Sequence, residues 1–125
     1  MSGKNTYLYS SFGFLILLLL VHSFATYTGL YWITGWFDTV SHLLGGFVIF
    51  FGFSYIFSFK NKKPTLGVII ILSLLVGIIW ELFELKYGIT SLVSRKYISS
   101  TSIDLIFDII GSCLAFLIVK KYGSK

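Results

Sequence analysis

Four apolar runs, each close to the length of a membrane-spanning helix, dominate this 125-residue chain. A helix that crosses a hydrocarbon core of about 30 Å needs about 20 residues. Only 12% of the residues are charged, which is too few to cover a surface that faces water. Strands of a membrane barrel would be shorter and would alternate apolar with polar residues, and these runs do neither. The sequence therefore predicts one all-α domain over residues 1–125, an integral membrane bundle of four transmembrane helices at about 11–31, 37–59, 66–87 and 103–119.

The ten basic residues predict how this bundle is oriented. Lys and Arg near the ends of membrane helices mark the cytoplasmic side. Seven of the ten lie before the first run, after the second or after the fourth: Lys4, Lys60, Lys62, Lys63, Lys120, Lys121 and Lys125. Both termini are therefore predicted to be cytoplasmic, in a multi-pass protein of the cell membrane that contacts membrane lipids. Membrane orientation thus explains most of the basic residues behind the net charge of +5. We expect no nucleic-acid binding, because no soluble surface is predicted to carry it.

The first run also has a second interpretation. Residues 12–21 resemble the apolar core of a signal peptide, and Ser23 and Ala25 have the spacing of a cleavage site. Against cleavage, only Lys4 and the terminal amine precede the run, and residues 27–32 extend it to spanning length. Cleavage would leave three helices in the same orientation.

All five acidic residues lie at or near the ends of the apolar runs rather than in the loops. An ionisable side chain at membrane depth costs about 2.5–3.5 kcal/mol even on the insertion scale, so its presence indicates function. If the helices alternate in direction, the second begins, the third ends and the fourth begins at the outer face. At 1.5 Å per residue, the acidic groups and one histidine then fall within about 10 Å of that face. We expect a single site formed by Asp38, His42, Glu81, Glu84, Asp104 and Asp108.

The spacing within each helix places these side chains on one face. Two pairs are four residues apart and the third is three residues apart, and both separations face the same way on a helix. Small residues continue each face, and small residues mark close helix contacts in membranes. The polar faces are therefore predicted to point into the bundle. The small residues are Gly45 and Gly52, Ser73 and Gly77, and Gly111 and Ala115.

Five carboxylates this close cannot all remain ionised without compensation. A divalent metal can bind them, since carboxylates with one imidazole suit Mn, Mg, Ca or Fe, or Zn with fewer ligands. Protons can instead be shared in a relay, or basic side chains can fold inward as counter-charges, namely Lys86, Arg95 or Lys96. We assign the cation, of open identity, to four ligands, and we predict no separate cofactor-binding residues. The four predicted ligands are Glu81, Glu84, Asp104 and Asp108.

The chemistry of the site is assigned to Asp38 and His42. Asp38 is predicted to hold one ring nitrogen of His42, which orients the imidazole or lets it exchange a proton. His22 has no acidic neighbour in sequence and is predicted to be an interhelical hydrogen-bonding residue. Trp80 is expected to pack against lipid or a neighbouring helix, and a hydroxyl at 101–102 to cap the fourth helix. Nucleophile motifs are lacking, so whether a reaction is catalysed stays open.

Three short motifs resemble the YjdF-like family of small bacterial and archaeal membrane proteins. They are Asp-Thr-Val-Ser-His-Leu-Leu-Gly-Gly at 38–46, Trp-Glu-Leu-Phe-Glu at 80–84, and Asp-Leu-Ile-Phe-Asp-Ile-Ile-Gly at 104–111. More distantly, the chain is similar to the VanZ-like family, in which Lys, Gln and Asn stand where this chain has Thr39, Glu84 and Asp108. The resemblance covers about residues 38–115, and it implies a membrane location without implying a particular reaction.

Three functions are compatible with this pattern. The favoured one is a cation-binding bundle whose outward site acts on or recognises an envelope lipid head group. The first alternative is a subunit of a proton or divalent-cation transporter, expected to form a homo-oligomer, although the inner halves of the helices offer only Ser54, Ser58, Ser73 and Cys113. The second alternative is a membrane scaffold or accessory protein whose acidic network fixes the packing of the bundle.

Overall fold

The computed structural model describes residues 3–87 and 97–123, with side chains from residue 101 onward in the second range. Four long helices and one short helix make up these residues, and the described part of the chain contains no strand. The helices are α1 (Gly3–Thr28), α2 (Leu30–Ile33), α3 (Phe37–Ser58), α4 (Leu66–Lys86) and α5 (Tyr97–Tyr122). All except α2 are long and apolar enough to cross a membrane. The predicted all-α fold with four transmembrane helices is confirmed, and the side on which the termini lie stays a prediction.

The helix boundaries differ from the prediction mainly in α1 and α5. α1 begins at Gly3 and stops before Gly29, whose φ of 73° lies in the left-handed region that ends helices. α5 begins at Tyr97, so Thr101 and Ser102 lie inside the helix and the prediction that one of them caps it is wrong. The physical reason is that hydropathy marks where hydrocarbon begins, whereas a helix can continue into the polar interface beyond it.

A tight turn reverses the chain between α3 and α4. Asn61 has a φ of 52°, in the left-handed region that asparagine tolerates better than most residues. Thr65 then caps α4, because its hydroxyl oxygen accepts a hydrogen bond from the Val68 amide at 3.4 Å. The turn brings α4 back antiparallel to α3.

α3 and α5 form the centre of the bundle and run parallel to each other. They cross where Gly46 meets Gly111: a Cβ on Gly46 would lie 2.9 Å from the Gly111 Cα atom. Only residues without a side chain allow backbones to approach this closely. α3 also packs against α1 and α4, and α5 packs against α4. The α1 contact includes Phe14 stacked on Phe47, with ring centroids 4.8 Å apart.

The buried interior of the described residues has an apolar end and a polar end. The apolar end holds a cluster of Phe50, Phe51, Ile69 and Ala115. Between the two ends, the Ser73 hydroxyl donates a hydrogen bond to Ser112 Oγ at 2.7 Å. The polar end lies at the start of α3, the end of α4 and the first turns of α5, and its buried members are His42, Glu81, Glu84, Asp104 and Asp108. The fold therefore places the ionisable residues of three helices together at one depth.

Candidate cation site

His42 lies at the centre of the polar end and is only 3% exposed. Its Nδ1 atom is hydrogen-bonded to Asp108 Oδ2 at 3.0 Å. Its Nε2 atom lies 3.5 Å from Glu81 Oε1 and 3.9 Å from Asp38 Oδ2. A single imidazole ring thus lies within 4 Å of carboxylates from α3, α4 and α5, and the predicted convergence of the three helices is present in the structure.

The carboxylate that binds the imidazole comes from α5 rather than from the same helix. Asp38, expected to hold a ring nitrogen of His42, is too far from Nε2 for a hydrogen bond, and its side chain is 23% exposed. Asp108 is the residue that binds a ring nitrogen of His42, because glycines beside its carboxylate leave room for it. A Cβ on Gly45 would lie 3.3 Å from Asp108 Oδ1, and a Cβ on Gly77 would collide with Oδ2. The close approach of α5 to α3 and α4 therefore decides which aspartate orients the ring.

Each glutamate of α4 has one oxygen held by an uncharged donor. The Thr101 hydroxyl donates to Glu81 Oε2 at 2.9 Å. The Trp80 indole N–H donates to Glu84 Oε1 at 3.0 Å, and the same indole packs edge-on against the His22 ring, with centroids 5.7 Å apart. Trp80 was expected only to pack, so its hydrogen bond is an additional finding. These donors fix the direction of both carboxylates without neutralising them.

Asp104 completes the buried set from α5. It is 4% exposed, and its Oδ1 atom accepts a hydrogen bond from the Thr39 hydroxyl at 3.4 Å. Two of the proposed counter-charges, Arg95 and Lys96, lie outside the described residues. Among the described residues, hydroxyl, indole and imidazole groups contact the acidic side chains.

Four buried polar atoms of the cluster have no hydrogen-bond partner among the residues that the structure describes. They are His42 Nε2, Glu81 Oε1, Glu84 Oε2 and Asp38 Oδ1. More than about 90% of buried polar groups in proteins are hydrogen-bonded, so each exception requires an explanation. In His42, Glu81 and Glu84 the other polar atom of the same side chain is held by Asp108, Thr101 or Trp80. The unpartnered atoms are thus the free ends of groups whose orientation is already fixed.

The residues of the cluster form two overlapping groups that are close enough to hold one ion. One group is His42, Glu81 and Glu84, and the other is Asp38, His42 and Asp104. Within each group, one nitrogen or oxygen atom per residue lies within 4.8 Å of the others. Carboxylate oxygens with one imidazole nitrogen suit Mn, Fe and Zn, and a more oxygen-rich set suits Mg and Ca. The acidic side chains and the imidazole are therefore positioned to hold an ion, and Asp108 contacts the imidazole at its other nitrogen.

A chain of hydrogen bonds connects α1 and α2 to the residue beside His42. His22 Nδ1 lies 2.7 Å from the Tyr31 hydroxyl, which lies 2.8 Å from Ser41 Oγ. The prediction that His22 is an interhelical hydrogen-bonding residue is confirmed. Burial raises the pKa of Tyr31 to about 12, and the charges of Asp38 and Glu84 act in the same direction. Tyr31 therefore keeps its proton, and its hydroxyl group is hydrogen-bonded to both His22 and Ser41.

Several residues that shape this site are not among those that the sequence pattern predicts. Thr101 precedes Asp104 by three residues, so it lies on the same face of α5. That spacing alone indicates that Thr101 lies near the site. Gly46 follows His42 by four residues, and this spacing likewise places it on the face of α3 that carries His42. The sequence pattern instead favours Gly45 and Gly52 as the glycines in helix contacts. Gly52 instead faces α1, where a Cβ would lie 3.4 Å from Ser11 Oγ. Nothing in the spacing pointed to Tyr31, which reaches Ser41 from a separate short helix.

Comparison with known proteins gives a family for the chain. Residues 4–125 match a family model described as a predicted membrane protein, DUF2238, which is the YjdF-like family. The more distant similarity to VanZ-like proteins is not supported. No curated protein and no solved structure matches the chain. The chain therefore belongs to DUF2238, the YjdF-like family of predicted membrane proteins.

Proposed function

We propose that this protein binds a divalent cation at the polar end of the bundle and uses it to recognise an envelope lipid head group. The observation that carries the proposal is the set of buried atoms without partners on His42, Glu81 and Glu84. Leaving a buried polar atom unsatisfied costs about 1–3 kcal/mol, and more for a charged group. One cation placed among these atoms would satisfy all three.

The surrounding hydrogen bonds have the form that supports metal ligands in proteins. A histidine that binds a metal commonly donates its other ring N–H to a carboxylate, which fixes the orientation of the ring. Asp108 meets His42 Nδ1 in this way at 3.0 Å. Thr101 and Trp80 do the same for the two glutamates. In the proposal, His42, Glu81 and Glu84 bind the cation and Asp108 orients His42. Asp38 and Asp104 form the second part of the site, where Asp38 is partly exposed.

The position of the cluster favours a head group as the molecule that is recognised. The site lies in the first turns of α3, the last turns of α4 and the early turns of α5. This supports a position near the boundary of the hydrocarbon core rather than in its middle, if these helices span the membrane. Lipid phosphate groups lie at that depth, and a metal can bridge carboxylates to a phosphate oxygen. Asp38 is the most exposed of the acidic side chains described here, so the approach to the cluster is beside it.

Transport across the membrane has weaker support. A path from the site to the opposite end would pass the Ser73–Ser112 pair and then the cluster that contains Phe50, Ile69 and Ala115. Ile69 and Ala115 are fully buried, so these side chains would have to separate to admit an ion. Flux of protons or divalent ions into liposomes that depends on Glu81 would favour the transporter over the head-group proposal.

Elemental analysis of the purified protein tests the proposal. The wild type and the double variant Glu81→Gln/Asp108→Asn are purified under metal-replete conditions, with Ser73→Ala as a control that removes a buried polar group outside the site. We expect close to stoichiometric divalent metal in the wild type and in the control, and loss of the metal in the double variant. Equal metal contents in the wild type and the double variant, including no metal in either, would contradict the proposal.

A further inference from the structure

A cavity of about 220 Å³ lies between α1, α3 and α4 and ends at the polar cluster. α1 and α4 do not pack against each other along their backbones in the described structure, and this leaves the space between them. His42 and Asp108 line one end of the cavity, together with Ser41. Its walls are apolar and come from all three helices: Leu15, Leu18, Val48, Ile49, Val76 and Trp80.

The cavity runs from the depth of the site toward the middle of the bundle. On α3 its lining extends from His42 to Ile49, about two helical turns, and on α4 it extends from Trp80 back to Val76. The contact between His22 and Trp80 spans α1 and α4 at the level of the site. An amphiphile with its polar group at the cluster would therefore have its chain directed into the cavity, toward the membrane interior.

Hydrocarbon fits this cavity better than water does. A buried water needs two to four polar partners, and an apolar cavity of about 150 Å³ stays dry and can hold benzene. At the polar end, the Ser41 hydroxyl is hydrogen-bonded to Tyr31 and His42 Nδ1 to Asp108, which leaves His42 Nε2 as the ring nitrogen without a partner among the described residues. The apolar walls offer a water molecule no further partner. An empty space would forfeit the dispersion contacts of its apolar walls. The bilayer on either side of α1 and α4 supplies acyl chains to fill it.

We propose that the cavity between α1 and α4 holds one acyl chain of a phospholipid whose phosphate lies at the His42 cluster. This inference rests on the proposed function for the position of the phosphate, and on the cavity for the chain. Moving a chain from the bilayer to an apolar cavity gains little, because both surroundings are hydrocarbon. The head group therefore supplies the affinity, and the cavity determines where the chain lies and which lipids fit.

Photocrosslinking in nanodiscs tests the inference. The probe is phosphatidylglycerol with a diazirine in the middle of one acyl chain, and the labelled residues are identified by peptide mass spectrometry. Val76→Phe fills the cavity from α4, and Leu75→Phe is its matched control, since Leu75 is 54% exposed on the outer face of the helix. Leu15→Trp fills the cavity from α1, with the exposed neighbour Ile16→Trp as control.

We expect labelling of cavity-lining residues in the wild type and in both controls. In both filled variants, labelling there should fall to the level found on exposed, lipid-facing positions. Cavity labelling in the wild type that does not exceed that level, or that survives in a correctly folded filled variant, would overturn the inference. So would displacement of the label by a polyprenyl phosphate but not by an equal amount of unlabelled phosphatidylglycerol, because the occupant would then be an isoprenoid chain.

A separate variant distinguishes this inference from the proposed function. Glu81→Gln removes a proposed cation ligand without entering the cavity lining. If metal content and labelling both fall, the head group is held through the cation and both proposals stand. If the wild type holds no metal but Val76→Phe still abolishes labelling, the acyl chain lies in the cavity as proposed, whereas the cation proposal fails and with it the position of the phosphate. If metal binds normally and cavity labelling is absent, only the acyl chain proposal fails.

Discussion

The crossing of α3 and α5 at Gly46 makes the most quantitative prediction of the structure. A Cβ on Gly46 would lie 2.7 Å from the Ser112 amide nitrogen and would also collide with the Asp108 carbonyl oxygen. Ordinary contact begins at 3.4 Å, so α5 must retreat by at least about 0.7 Å to admit one methyl group. These are backbone atoms of a packed helix, which cannot rotate out of the way as the end of a side chain can.

Gly46→Ala should therefore destabilise the bundle by about 1–3 kcal/mol, the usual cost of overpacking a close-packed interior. The displacement of α5 also carries Asp108 away from His42, so the 3.0 Å hydrogen bond lengthens beyond hydrogen-bonding distance. Gly45→Ala is the matched neighbour. Its Cβ would meet only the carboxylate of Asp108 at 3.3 Å, which can shift by a few tenths of an ångström, so the cost should be smaller.

Unfolding titrations in mixed detergent micelles, followed by circular dichroism, measure these free energies. Gly13→Ala serves as the control, because a Cβ there meets no atom of the described residues within 4 Å. Alanine also favours helix over glycine by up to about 1 kcal/mol. We expect the order of stability Gly13→Ala, then Gly45→Ala, then Gly46→Ala. If Gly46→Ala were as stable as Gly13→Ala, the helices would not cross in contact there, and the explanation for the Asp108–His42 bond would be refuted.

Three further predictions concern the surroundings of the site. Burial raises the pKa of Tyr31 to about 12, so its hydroxyl should lose its proton at a higher pH than an ordinary tyrosine does. The difference between the ultraviolet absorbance of the wild type and that of Tyr31→Phe, followed against pH, measures this titration. Because the folded-state pKa is raised, the stability that Tyr31 contributes should be constant below about pH 10 and lost as the pH rises toward 12. Thr101→Val removes the donor to Glu81 and should weaken cation binding by about 10–100-fold, whereas Thr101→Ser should retain it; equal binding by both variants would argue against this role. Reporter fusions at Lys62 and Lys125 should read cytoplasmic and a fusion at Ser94 external, and an external signal at Lys62 would reverse the predicted orientation.

Run lengths and residue spacing were sufficient to predict the helices and the depth of the site. α3 and α4 end within one residue of their predicted limits, because their apolar runs stop at a basic turn and at a lysine. The start of α5 was missed because its first turn is polar, and Thr101 finds a partner on another helix rather than at its own N-terminus. The convergence of the acidic residues followed from depth and helical face alone.

The pairing inside the site could not be predicted in the same way. Spacing along one helix shows which residues share a face, and it favoured Asp38 as the partner of His42. The actual partner, Asp108, is 66 residues away, and it reaches the imidazole only because α5 approaches α3 at Gly46 and Gly111. That approach depends on contacts between helices, which a pattern along one chain does not specify. The cavity between α1 and α4 could not be predicted either, because it also depends on how the helices are placed relative to one another.

The central claim is that the unpartnered atoms of His42, Glu81 and Glu84 bind a divalent cation. A scaffold explanation predicts instead that the acidic residues only fix the packing, since buried polar networks can specify a structure while adding little stability. A ligand that binds only the folded protein stabilises it, by about 2.7 kcal/mol at a concentration 100 times the Kd. The two explanations therefore differ in how melting responds to metal.

Thermal unfolding with a chelator and with added Mn²⁺, Mg²⁺, Ca²⁺, Fe²⁺ or Zn²⁺ in turn tests the claim most directly. The wild type is compared with Glu84→Gln/Asp104→Asn, whose neutral side chains keep the size of the originals and one oxygen that can still accept a hydrogen bond. We predict that at least one ion raises the Tm of the wild type, and that the double variant melts at or above the wild-type temperature in chelator but gains nothing from that ion. If both proteins melt at the same temperature with and without every ion, the acidic cluster is a structural network and the claim is contradicted.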